Sequence, residues 1–179
     1  MLHAIRARLI TRGKQDWTYG FFAIRARLPC GLGSWPTIWM LGSQGDWPAG
    51  GELDITEHVG KAPGRVFSTV HTTAGSGGNG SGAAVQVPDA CTTVQVPDAC
   101  TTFHNDQMHW TPQRIRFGID DKAHAAYANP GTGLARWPFD APQFLILNLA
   151  IGGDLGGEVD VRIPLSLEVD HVRVYQRSR

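Results

Sequence analysis

A period-two alternation of apolar and polar residues, interrupted by glycine and proline, constrains this chain more than any other feature. In residues 21–28, Phe22, Ile24, Ala26 and Leu28 fall on one face while Arg25 and Arg27 fall on the other, the pattern of a half-buried strand. Residues 114–119 repeat it, with Ile115, Phe117 and Ile119 inward and Asp120-Asp121 as the following turn. Residues 145–151 are apolar on both sides apart from Asn148, as a central strand requires, and residues 172–175 supply another strand near the end. Helical periodicity is nearly absent, so the expected fold is all-β, a sandwich or barrel.

The 179 residues suffice for one domain with one sizeable core. Sixteen basic and sixteen acidic residues cancel, which leaves no electrostatic footprint for nucleic acid or an anionic membrane and suits a neutral polymer as partner. The longest apolar stretch, residues 144–151, is far short of the roughly 18 residues of a membrane span, so no membrane association is expected. The first residues lack the continuous apolar core of a signal peptide.

Residues 74–84 are rich in glycine and serine and are expected to form a flexible loop. A nonapeptide follows twice in direct succession, at 85–93 and 94–102. One duplication is a loop expansion rather than a repeat architecture, and only the second copy need keep its place before Phe103. The hexapeptide at 4–9 echoes that at 23–28 apart from residue-for-residue context, and predicts a strand of similar character near the N-terminus. Because Cys91 and Cys100 are the same residue written twice, Cys30 has two candidate disulfide partners, and three idle thiols are an equal alternative.

The chemistry concentrates in residues 51–57, Gly-Glu-Leu-Asp-Ile-Thr-Glu. On a regular strand Glu52 and Asp54 share a face that Glu57 does not. One extra residue, a β-bulge at Ile55-Thr56, brings Glu57 round to join them. Three carboxyl groups on one face cannot all ionise cheaply, so their pKa values spread into an acid and a carboxylate near neutral pH. Retaining glycosidases need that division, with the two carboxyls about 5–5.5 Å apart. An acidic edge strand that merely resists aggregation is the bland alternative.

The neighbouring motifs weigh against it. The run 31–41 (GLGSWPTIWML), the run 65–72 (RVFSTVHT), Trp137-Pro-Phe-Asp140, residues 145–153 and the ending 168–176 (EVDHVRVYQ) together resemble glycoside hydrolase family 16, in particular its bacterial laminarinases. The resemblance implies a β-jelly-roll sandwich of two antiparallel sheets with a concave cleft, in one catalytic domain over 1–179. It implies retaining endo-hydrolysis of β-1,3-glucosidic bonds in laminarin-like glucans, with a non-catalytic glucan-binding protein of the same fold as the alternative. Glu52 is then the nucleophile, Asp54 the carboxylate that orients and tunes it, and Glu57 the general acid/base.

Trp35 and Trp39 are implied to stack on sugar rings, and His71 and Asn148 to bond substrate. Trp47 either caps the negative subsites or anchors its loop. Trp110 and Trp137 read as core. No redox or nucleotide cofactor is implied, and no spacing of histidines suggests zinc. A structural calcium on the convex face would use Asp170, but its usual partners lie in N-terminal strands that this sequence is expected to lack or to replace by residues 2–11. The resemblance further implies a monomer of extracellular or periplasmic location. Two residues depart from the family pattern: Thr56 stands where relatives often have Met, and Asp106 where they usually have Tyr. An aspartate facing the core costs several kcal/mol unless it is paired.

Overall fold

The structure, a computed structural model, describes residues 7–76, 91–160 and 165–178. The first nonapeptide copy and the Gly/Ser-rich stretch fall largely outside the described residues.

Among the described residues there are eleven strands: β1 (Ala7–Ile10), β2 (Gly20–Arg27), β3 (Ser34–Gly42), β4 (Glu52–His58), β5 (Arg65–His71), β6 (Cys91–Gln95), β7 (His104–Trp110), β8 (Arg114–Ile119), β9 (Lys122–Ala128), β10 (Gln143–Ile151) and β11 (Glu168–Tyr175). One short helix, α1 (Gly153–Gly156), follows β10. The strands form two antiparallel sheets, ordered β1-β10-β3-β4-β5-β6 and β11-β2-β7-β8-β9. The expected all-β sandwich is therefore the observed one.

The alternation read from the sequence selects the inner faces. Phe22, Ile24 and Ala26 from β2 and Ile115 and Phe117 from β8 meet Ile38, Met40, Leu53 and Leu145 of the other sheet. Burying each of these side chains contributes about 1.5–3 kcal/mol, so register is strongly specified. Asp120 and Asp121 both take positive φ, at 49° and 63°, and close β8 onto β9 as a two-residue hairpin turn. Trp110 and Trp137 are core, as expected; the Trp110 indole N–H donates to the Phe139 carbonyl at 3.0 Å.

The hexapeptide echo leads to different outcomes. Its second copy is the core strand β2, whereas β1 starts at Ala7, pairs with β10 at the edge of the other sheet and is exposed throughout. The same residues are buried or exposed according to which sheet covers them. No helix among the described residues is long and apolar enough to cross a membrane.

Cys30 is disulfide-bonded to Cys100, which resolves the choice between the two copies. The bond ties the β2–β3 connection to the turn after β6. Among the described residues, Asp170 does not fit calcium. Its carboxylate faces the Arg25 guanidinium at 3.5 Å and His171 Nδ1 at 3.1 Å, cationic or donor groups where a hard cation requires several further oxygens.

Candidate active site

Strand β4 carries the bulge that residues 51–57 predict. Asp54 pairs with Thr69 of β5 and Glu57 with Phe67, so one β5 residue, Ser68, spans the two positions Ile55 and Thr56. On the opposite side Trp39 pairs with Asp54 and Thr37 with Glu57. Ile55 and Thr56 are both buried toward the core, which leaves Glu52, Asp54 and Glu57 on the outer face of the sheet. Gly51 precedes them with φ 79°, and a Cβ there would lie 2.6 Å from the Phe139 ring. Only glycine lets the chain enter β4 this close to the core.

Each glutamate is capped by a tryptophan. Trp35 donates its indole N–H to Glu57 Oε1 at 3.1 Å, and Trp47 donates to Glu52 Oε2 at 2.5 Å. Trp47 is 54% exposed, so its ring lines the cleft while its N–H holds the carboxylate; the loop-anchor and subsite readings are both compatible with that position. Glu52, Asp54 and His71 bring one ligand atom each within 4.8 Å of one another. His71 Nε2 lies 3.0 Å from Asp54 Oδ2, off the line of a hydrogen bond.

Burial pushes all three carboxyl pKa values up. Glu52 rises to about 7 through desolvation and the Asp54 charge, opposed by His71 and the Trp47 N–H. Asp54 is raised well above its ordinary value by burial and then by the Glu57 charge. Glu57 is raised chiefly by burial, against hydrogen bonds from Trp35 and Thr69. A side-chain hydrogen bond couples Glu52 and Asp54. Asp54 is only 2% exposed, and its hydrogen bond with Glu52 lowers the Asp54 pKa while raising that of Glu52, so the two carboxyls titrate as a pair.

The remaining expected residues divide. Asn148 shares the cleft, but its Oδ1 accepts the Trp39 indole N–H at 2.6 Å, and the Arg8 guanidinium lies 5.3 Å from the Trp39 ring centroid. Trp39 is thus held on its edge and covered over part of one face. Sequence reasoning passed over Thr69, two residues before His71 and on the same face of β5; the period-two rule applied from His71 would have found it. His58, one of the histidines whose spacing suggests no zinc site, is fully buried; its Nδ1 donates to the Arg65 carbonyl at 2.8 Å and its Nε2 lies 3.3 Å from Cys30 Sγ. Cys30, His58 and Cys100 are close enough to share an ion, but both sulfurs are spent in the disulfide.

This geometry suits double displacement at an acetal carbon: a charged oxygen and a protonated one on the same face, with aromatic rings beside them. The profile of glycosyl hydrolases family 16 matches residues 7–163. A beta-glucanase of Rhodothermus marinus is 44% identical over 95% of this chain and 62% of its own length. The crystal structure of a laminarinase from Flavobacterium sp. UMI-01 superimposes with TM-score 0.86 at 37% identity, over 94% of this chain and 72% of the other. The X-ray structure of the R. marinus laminarinase gives TM-score 0.83 at 43% identity, over 94% and 70%. The chain thus spans a little under two thirds of that beta-glucanase's length.

Proposed function

This chain belongs to glycosyl hydrolase family 16, and on that premise we propose that it is a retaining endo-β-1,3-glucanase acting on laminarin-like β-glucans. The observation that carries the reading is the bulge at Ile55-Thr56, which puts Glu52 and Glu57 on one cleft face with a tryptophan N–H on each. The β-1,3 linkage is supported by the names of the relatives, a beta-glucanase and two laminarinases.

In the first step Glu52 attacks the anomeric carbon while Glu57 gives its proton to the departing glycosidic oxygen, and a glycosyl-enzyme ester forms. In the second step Glu57, now a carboxylate, takes a proton from water. The water attacks the same carbon and Glu52 leaves, so configuration is retained. Asp54 supplies the hydrogen bond that steadies Glu52 as its charge is consumed and restored. We propose that neither step requires a cofactor. We further propose that residues 1–179 act as a single catalytic domain, as a monomer in an extracellular or periplasmic setting where the disulfide persists. Retention of all three acidic residues disfavours the non-catalytic glucan-binding alternative.

The test is release of reducing sugar from laminarin by the purified protein, with lichenan, agarose and xyloglucan in parallel and Glu52→Gln as control. Activity on laminarin that disappears in the control supports both reaction class and nucleophile. Folded protein inactive on every glycan overturns the enzyme reading, and activity unchanged in Glu52→Gln overturns the assignment of the nucleophile.

A further inference from the structure

The two residues that the bulge pushes out of register are both held from the core side by polar groups. Ser68 Oγ donates to the Ile55 carbonyl at 2.7 Å, and His124 Nε2 lies 2.9 Å from the same oxygen of Ser68. Thr56 Oγ1 donates to Asp106 Oδ1 at 2.6 Å. His124 belongs to β9 and Asp106 to β7, so both contacts reach across the sandwich from the facing sheet.

The protons can be assigned from the partners. A carbonyl only accepts, so the Ser68 hydrogen points at Ile55, and the Ser68 lone pair receives the Nε2–H of a neutral His124. His124 Nδ1 is then an acceptor, and it is buried without a partner. Burial holds this imidazole below its ordinary pKa, in keeping with the neutral ring.

We propose that Ser68 and His124 are positioning residues for the acid/base: the relay from β9 through β5 to the Ile55 carbonyl fixes the bulge and so the aim of Glu57. The inference rests on the role given to Glu57 above. A strand relieved of its bulge slips by one residue, which would turn Glu57 from the cleft toward the core. Ser68 satisfies the buried Ile55 carbonyl only while the bulge is present, and a buried carbonyl without a partner is costly. Ser68 and His124 thereby favour the register in which Glu57 faces substrate, without touching substrate themselves.

The experiment compares laminari-oligosaccharides with 2,4-dinitrophenyl β-laminaribioside, whose phenolate leaves without needing a proton. In Ser68→Ala, kcat on the oligosaccharide should fall about 10- to 100-fold with KM nearly unchanged, as for loss of well-aimed acid catalysis. The kcat/KM of the activated glycoside, which reports the first step alone, should change by less than about threefold. Ser68→Thr, which keeps the hydroxyl, should restore most of the loss. His124→Leu should show the same leaving-group dependence, and His124→Gln, which keeps an N–H donor, should not.

A wild-type kcat on the oligosaccharide in Ser68→Ala, or an equal loss of kcat/KM on both substrates, overturns the inference. If Ser68→Ala does not fold, the two His124 variants decide: loss confined to the poor leaving group in His124→Leu supports it, and uniform loss or none overturns it. Failure of the wild-type protein on both substrates instead removes the glucanase reading on which it rests.

Discussion

Trp35 and Glu57 stand 22 residues apart in the chain, yet the Trp35 indole N–H points at Glu57 Oε1 at 3.1 Å. That hydrogen bond favours the carboxylate and opposes the burial that raises the Glu57 pKa. Trp35→Phe keeps the ring and removes the donor. The Glu57 pKa then rises further, so the alkaline limb of the kcat/KM profile moves to higher pH, while kcat falls as the base step loses its positioned carboxylate. Rate measurements on laminarin across pH will check both; an alkaline limb that moves down, or not at all, contradicts the assignment of Glu57 as the acid.

The two departures from the family pattern turn out to be partners. Asp106 is 2% exposed and bonds Thr56, while burial pushes its pKa up to about 7. A carboxyl whose folded pKa lies above its unfolded value binds protons more tightly when folded. Stability therefore falls as pH rises from about 4, the unfolded value, to the folded value of about 7. Asp106→Asn keeps an acceptor for Thr56 without the charge, and should flatten this part of the stability curve and raise stability at pH 8 by a few kcal/mol. Urea unfolding at pH 4 and pH 8 measures it; an unchanged slope would show that Asp106 titrates normally.

The Cys30–Cys100 disulfide closes a sequence separation of 70 residues. In the chain-entropy account, a loop of that length stabilises by about 4 kcal/mol, subject to native strain. Cys100→Ser should lower the thermal midpoint by several degrees, whereas Cys91→Ser should leave it unchanged because Cys30 is already committed. Equal effects of the two substitutions would mean that either copy of the nonapeptide can supply the partner.

Asn148 Oδ1 accepts the Trp39 indole N–H, so its first effect is on the ring. Asn148→Ala leaves that N–H without its acceptor, at a cost of about 1–3 kcal/mol, and lets the indole turn in the cleft. KM for laminarin should rise several-fold with a smaller change in kcat, read from initial rates. A loss confined to kcat would place Asn148 nearer the reacting atoms than this geometry does.

Much of this protein was determined by its sequence alone, because strand periodicity is a property of consecutive residues. The alternation in residues 21–28 and 114–119 specified which side chains face inward, and the extra residue between Asp54 and Glu57 required a bulge if the three acids were to meet. Two aspartates at 120 and 121 were enough to place a hairpin turn. What the sequence left open was decided by strand order and by which sheet faces which. Nothing local pairs Trp39 with Asn148 across 109 positions, or Thr56 with Asp106 across 50. The identical nonapeptides offered two equivalent cysteines, and only the course of the chain after β6 put Cys100 beside Cys30. The raised pKa of Asp54 was likewise out of reach, since it depends on water excluded by residues from several strands rather than on the carboxyl itself.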